Sequence, residues 1–425
     1  MNLLIVTVGG SPMPIYLTIR YLLDKDRNDH DELPTPDIIV PIFSSSTKEQ
    51  YSNIKKLINN HHSNQSISFK EIDLANNFRD HDYIVDRVLK ELEALEKNDK
   101  LSHLHINYTG GTKPMAVAVA SAILQYESNR KIQTIYSDFD PKRYRLNRRD
   151  GTSYPANQSL KNIHYLSIDD LYSLHGLECK DQKNSVDALA NYKELLPALL
   201  QDAEQGEALM TAWDSWPNAS TRKRCRKEAK QETGDADKRL EKIYSDLFEK
   251  MPDGFSLPPF SREGFDNSFC DKMKELRRFI TGQWLEEYLV ATLENLKEAC
   301  DISELKWNVE GVIVREGSNY MERDFEIDII ALQGTQPFVF TCTTDTSAPT
   351  CKSKAFEGVY RARQLGGNET KTILVCCAKP ETVEKTLTDL STFDIKNNFY
   401  ILGIDDIIVQ EELKKRLKEI FKEKG

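Results

Sequence analysis

The chain has 425 residues, 39% hydrophobic and 29% charged, and a formal net charge of −10. That length exceeds one ordinary domain, so two or three are expected. The acidic balance excludes a general attraction to nucleic acid and leaves only local basic patches for it. No apolar run is long enough to span a membrane. The 8 cysteines contain no C-x-x-C spacing, and Cys376 and Cys377 are adjacent in a strand-like run. Reduced thiols in a cytoplasmic protein, with no zinc site and no membrane partner, are therefore expected.

Residues 3–8 read as a buried strand rather than part of a signal peptide, because no basic leader precedes them and Gly9-Gly10 follows directly. Gly9-Gly10-Ser11-Pro12 makes a phosphate-friendly turn before a helix over 15–23. A second strand over 37–43 ends in Ser44-Ser45-Ser46-Thr47, a hydroxyl cluster able to cap the next helix. A short strand around 67–69 and a helix over 83–95 come next. A strand ending at Ile106 then runs into Asn107-Tyr108-Thr109-Gly110-Gly111-Thr112-Lys113-Pro114-Met115, followed by a small, apolar helix. Glycines there admit close approach of a ligand, and a helix N-terminus offers free N–H groups to an anion. A tight turn capping a core helix accounts for the same residues, and the spacing is not that of a Walker loop. A further strand covers 133–137. Alternating strands and helices predict a doubly wound parallel sheet, which gathers the three turns at the carboxyl ends of its strands.

Gly9-Gly10-Ser11-Pro12 together with the stretch from Asn107 to Met115 resembles the CRISPR-associated Rossmann-fold (CARF) sensor domain. The resemblance covers about the first 170 residues. It implies a homodimer that cradles a cyclic oligoadenylate, with cyclic tetra-adenylate as the expected activator. The ligand-side residues it implies are Gly9, Gly10, Ser11, Ser45, Thr47, Thr109, Gly110, Gly111, Thr112 and Lys113. Ser45 and Thr47 are also the residue types that a helix cap needs.

Residues 181–257 are polar and helix-compatible. The basic run Thr221-Arg222-Lys223-Arg224-Cys225-Arg226-Lys227 suits either a phosphate backbone or a solvated helix face, and Pro258-Pro259 marks a boundary. All 8 histidines lie at or before His175, so the C-terminal half has no histidine general base. That rules out the Arg-x-x-x-x-His ribonuclease found behind many CARF domains, as well as HNH and HD sites. Residues 276–296 predict one amphipathic helix containing Trp284 and Glu286. Strands over 305–315, 325–332 and 338–343 follow, then a helix over 354–365 ending in Gly366-Gly367. A strand, a helix, a strand and a charged helix complete the chain. Glu326 and Asp328 fall on one face of the middle strand by its period of two.

This order resembles the restriction-endonuclease core, and more narrowly the CARF-linked PD-(D/E)xK nucleases of type III CRISPR systems. The resemblance implies Mg²⁺ or Mn²⁺ held by Glu286, Asp328 and Glu326. The family's lysine position reads Thr343 here, within Thr341-Cys342-Thr343, and Lys352 or Lys354 is the candidate substitute.

The expected architecture is α/β. A Rossmann-like CARF domain (1–175) and a restriction-endonuclease-like domain (266–425) are joined by a helical linker (176–265). The function expected is a metal-dependent nuclease of antiviral defence, acting on DNA, RNA or both and activated by the messenger. The rivals are a messenger-binding sensor or sponge with a degenerate nuclease fold, and an enzyme using a mononucleotide.

Overall fold

The computed structural model describes residues 1–24, 33–62, 67–97, 99–128, 130, 132–140, 145–148, 153–154, 165–181, 192–205, 213, 242, 244–249, 251, 267–314, 321–367, 370–391 and 398–422. It is a mixed α/β structure with a largely parallel first sheet and a second, mixed sheet. The basic run at 221–227 lies outside the described residues.

The first sheet is built on β1 (Asn2–Thr7), whose last five residues are all buried. Such an unbroken apolar run is what a parallel strand covered on both faces requires. β2 (Ile38–Phe43) and β5 (His103–Asn107) pair with it in parallel on either side. β3 (Ser68–Phe69) and β4 (Ile72–Asp73) extend the β2 edge, and β6 (Gln133–Asp140) lies parallel to β5. β7 (Arg145–Arg148) and β8 (Ser153–Tyr154) add antiparallel edge strands that sequence patterning missed. Helices α1 (Met13–Leu23) and α2 (Lys48–His61) share a core with Leu4, Val6 and Ile39. α3 (His81–Glu96) and α4 (Lys113–Glu127) share another with Leu3, Ile5 and Val40 on the opposite face. The chain winds from β1 to β2 and then returns to place β5 on β1's other side, so the strand order reverses between β1 and β5.

The second sheet runs β14-β13-β12-β11-β10-β9. Its members are β9 (Leu177–Asp181), β10 (Ile302–Val314), β11 (Met321–Gln333), β12 (Gln336–Thr343), β13 (Lys371–Cys376) and β14 (Phe399–Leu402). β9 through β12 are antiparallel, and β12 through β14 are parallel. The strand at 177–181 corrects the expectation that the segment after residue 175 is helical throughout. It joins the second sheet by pairing Leu177–Asp181 with Val309–Ile313. The helix expected over 276–296 is also corrected. After α6 (Leu196–Gln205), it is α7 (Asn267–Arg278) and α8 (Trp284–Asn295), separated by a π-turn at Phe279–Gln283 where Gly282 leaves helical geometry. Thr344 donates its hydroxyl to the Thr281 carbonyl at 3.1 Å, which ties this break to the end of β12.

α9 (Ala348–Gly366) lies against β12 and β13, with α10 (Pro380–Leu390) beside it. α12 (Gln410–Lys422) follows the short α11 (Ile404–Ile407) and packs with α8 on a core containing Trp284, Phe338 and Phe421. The two sheets share one apolar core, in which Tyr16, Leu17 and Ile54 meet Phe325, Ile330, Val339 and Leu365. The short helix α5 (Ile168–Ser173) is part of this junction. Ile168 donates its N–H to Glu304 at 2.7 Å, and Tyr172 stacks on Phe325. Among the described residues, no helix is long and apolar enough to cross a membrane.

At the reversal point, the turns after β1 and β5 touch. Thr7 donates its hydroxyl to the Gly110 carbonyl at 2.6 Å. A Cβ on Gly110 would lie 2.1 Å from the Thr7 carbonyl oxygen, whereas one on Gly10 meets nothing within 4 Å. Gly110→Ala should therefore destabilise the fold by about 1–3 kcal/mol, and Gly10→Ala by less than ~0.5 kcal/mol. Urea unfolding of the two variants checks this, and equal midpoints would contradict it.

Candidate functional site

The structure contains two separate candidate sites, one at the carboxyl ends of β1 and β5 and one between the middle of β11 and the carboxyl end of β12. At the first, Gly9, Gly10 and Ser11 follow β1, while Thr109 to Lys113 connect β5 to α4. Gly111 holds φ +77°, the left-handed region that favours glycine. Thr112 is the N-cap of α4, its hydroxyl accepting from the Met115 N–H at 3.4 Å. Thr112 and Lys113 are exposed at the positive end of that helix dipole. Asn107 and His105 are buried beneath the turn, and both reach the Ser137 hydroxyl, at 3.2 and 2.7 Å. Asn107 also accepts from the Thr109 N–H at 3.2 Å, so the strand below fixes the course of the turn.

The hydroxyl side chains divide by role. Thr109 accepts from the Phe139 N–H at 2.6 Å, an internal tie to β6. Thr47 accepts from the Ser44 N–H at 3.0 Å, which is the capping role its residue type also allowed. Ser45 is exposed in the 3₁₀ turn Ser45–Thr47 after β2, on the same edge. Ser11 points the other way. Its Oγ lies 3.0 Å from where a Cβ of Gly367 would stand, at the end of α9, and makes no hydrogen bond among the described residues. The turns thus bring together Gly9, Gly10, Gly110, Gly111, Thr112, Lys113 and Ser45, while Ser11 faces the second half.

At the second site, Asp328 on β11 accepts from the Cys342 N–H on β12 at 2.7 Å. Burial raises the Asp328 pKa, opposed chiefly by that N–H. Glu286, in the first turn of α8, is pushed up to about 8, first by burial and then by the negative charge of Asp328. Each charge therefore makes the other costlier. Lys354 lowers both pKa values by its charge, and its Nζ is 3.5 Å from Glu357 on the same helix. Lys352 instead pairs with Asp389 at 3.2 Å. Gly358 allows α9 to lie close on β12, since a Cβ there would stand 2.9 Å from the Thr341 methyl.

A small open cleft lies here, lined by Glu326, Asp328, Thr341, Lys354, Glu357 and Arg361 among others. Glu326 is exposed at its edge. Thr343 accepts from the Asp345 N–H at 3.2 Å, a local turn contact. Among the described residues, no group of three or more His, Cys, Asp or Glu side chains is arranged to hold a metal ion, so the expected three-carboxylate set is not gathered. Sequence reading singled out neither Glu357 nor Arg361 as a site residue. Their spacing of three and seven residues from Lys354, which puts all three on one helical face, was the available signal.

Residues 30–170 match the family model described as the Card1 CARF domain. A comparison with curated proteins finds no match. Protein VC1899 from Vibrio cholerae is similar in structure, with a TM-score of 0.62 and 18% identity, over 100% of this chain and 99% of that one. Can2 from Sulfobacillus thermosulfidooxidans, solved in complex with cyclic tetra-adenylate, is similar with a TM-score of 0.62 and 15% identity, over 99% of each chain. At these identities the likeness is one of fold, and it extends over both sheets.

Proposed function

We propose that this chain is a metal-dependent nuclease switched on by a cyclic oligoadenylate, acting as a homodimer in CRISPR-type antiviral defence. The observation that carries the nuclease reading is the half-buried pair Glu286 and Asp328, with Asp328 held by the Cys342 N–H and lining one cleft with Lys354. Two carboxylates forced together in a poorly solvated place need a cation, and hard oxygen ligands suit Mg²⁺ or Mn²⁺. The protein would supply Glu286 and Asp328, leaving the other coordination positions to water and substrate oxygen. Such an ion lowers the pKa of bound water and offsets charge on the phosphate. Lys354 holds a fixed positive charge on the cleft side of Asp328, where it can orient a water and steady the phosphate. It takes over the position that Thr343 cannot fill.

The sensor reading is supported by the CARF family match and by the glycine turns converging at the α4 N-terminus. Can2 was solved with cyclic tetra-adenylate, so that ring is the first to test. Val117 and Leu124, 60% and 47% exposed, lie seven residues apart on one face of α4 and suit coverage by a second copy. A sensor or sponge with a degenerate nuclease fold is favoured by one observation, the absence of a third ligand among the described residues. Cleavage assays on plasmid DNA and single-stranded RNA with cyclic tetra-adenylate and Mn²⁺ decide between them. Cleavage supports the nuclease, and messenger binding without cleavage supports the sponge.

Lys113→Ala should weaken binding of the messenger about ten- to a hundredfold, the worth of one charge-assisted hydrogen bond, while the dimer persists. Calorimetry and sedimentation read the two quantities separately, and unchanged affinity would remove Lys113 from the ligand site.

Asp328→Ala should abolish cleavage. Lys354→Ala should lower kcat about a hundred- to a thousandfold, and Lys352→Ala should change it little because its charge is spent on Asp389. Full activity in the Lys354 variant would refute its role.

The raised pKa of Glu286 gives a prediction that needs no turnover. A carboxyl raised in the folded state stabilises the fold most below its unfolded pKa, and that contribution is lost as pH rises through the folded value. In metal-free buffer the protein should lose stability between about pH 5 and 8 relative to Glu286→Gln, consistent with a folded pKa of about 8. Mn²⁺ should remove that difference. Thermal melts at several pH values measure it, and parallel curves would contradict a buried, metal-free carboxyl pair.

A further inference from the structure

Arg361 lines the same cleft as Asp328 and Lys354, and its donors are largely unused. Its Nη1 donates to the Gln364 amide at 3.3 Å, its buried Nε has no partner, and it forms no ion pair among the described residues. A guanidinium carries five N–H donors in a planar fork that fits phosphate. This one is held in place by aromatic rings, with its central carbon 5.0 Å from the Phe325 ring and 5.4 Å from the Tyr360 ring. Phe325 is buried in the core shared by the two sheets, so it offers a rigid platform. The carboxylates of Glu326 and Glu357 line the cleft too, and Glu357 is engaged by Lys354. The cation most free to meet an incoming anion is therefore Arg361.

Arg361 also stands seven residues from Lys354, two helical turns or about 10.5 Å along α9. Tyr360, 65% exposed, is next to it. An exposed aromatic ring beside a phosphate-binding cation is the pairing that single strands use, the base stacking while the backbone is held.

We propose that Arg361 binds a phosphate of the substrate strand flanking the one cleaved at Asp328 and Lys354, with Tyr360 stacking on an unpaired base. This rests on the nuclease reading. Arg361 is a positioning residue and Tyr360 makes the site prefer an unpaired strand.

The test uses the full-length protein with cyclic tetra-adenylate, Mn²⁺ and a fluorescent single-stranded oligonucleotide, and measures KM and kcat at several salt concentrations. Arg361→Gln should raise KM about tenfold with kcat little changed, and flatten the dependence of log KM on log salt by about 0.7, the value for one lost phosphate contact. Arg361→Lys should recover part of the loss. Tyr360→Ala should raise KM at least fivefold for the single strand, and Tyr360→Phe should not. An unchanged KM and salt slope in Arg361→Gln, with cleavage intact, overturns the assignment and leaves the nuclease reading standing. A drop in melting temperature and kcat at constant KM also overturns it, by showing a purely structural role. Failure of the unmodified protein to bind or cut the oligonucleotide overturns the nuclease reading and this assignment together.

Discussion

Helix α1 has almost no solvent face, and the rest of the structure depends on how it is covered. Nine of its 11 residues are buried, from Met13 to Leu23. A helix apolar on every side must be enclosed, and the first sheet covers only one side. The second sheet, α5 and α9 supply the other, through Phe325, Ile330, Val339 and Leu365. Separating the halves would expose that surface at about 25 cal/mol per Å². The junction also carries polar specificity. Asp170 accepts from Tyr16 at 3.4 Å and pairs with His61 at 2.8 Å, while Arg20 donates to the Tyr16 hydroxyl at 3.0 Å. These groups fix the orientation of α1, and with it the Gly9-Gly10-Ser11 turn from which α1 begins.

Helix α9 ties the second site to the first half of the chain. Its first half carries Lys354, Glu357 and Gly358 at the carboxylate cleft. Its last turn is held from the first half, since His175 bonds the Leu365 carbonyl at 2.8 Å and Gly367 lies against Ser11. The helix is 19 residues long and packed on β12 and β13, so it is a stiff connection rather than a linker. Ser11 therefore forms part of the contact between the halves.

Most of the fold was legible because the strands that matter are buried on both faces and read as apolar runs. β1 and β12 are examples, and the turns after β1 and β5 announce themselves by paired glycines and a capping threonine. β9 was not legible. Leu177-Glu178-Cys179-Lys180-Asp181 is five residues of mixed polarity, and it becomes a strand only by pairing with β10, more than 120 residues away. The break at Phe279–Gln283 was hidden for a similar reason, since its surroundings are good helix formers and the tie from Thr344 to Thr281 is tertiary. Of the candidate site residues, Glu286 and Asp328 came from the resemblance, and Lys354 was one of two candidate substitutes for the strand lysine. Glu326 stays at the edge, Thr343 serves its own turn, and Arg361 was missed although its spacing of seven residues puts it on the helical face of Lys354.

In the proposed nuclease site, the positive charge the carboxylate pair needs can come from an element other than the strand. Coulomb energy depends on separation, not on which strand or helix supplies the charge. Asp328 is fixed by its bond to the Cys342 N–H, and Glu286 by the first turn of α8, itself set by the π-turn tied to β12. The receiving position is thus held by three elements and is insensitive to the residue at 343. α9 sits close on β12 because position 358 is glycine, which brings the residue one turn earlier, Lys354, beside Asp328. A lysine on a packed helix is as well anchored there as one on the strand. On the proposed reading, threonine at 341 and 343 then costs the site no positive charge, and desolvation keeps Glu286 and Asp328 in need of it.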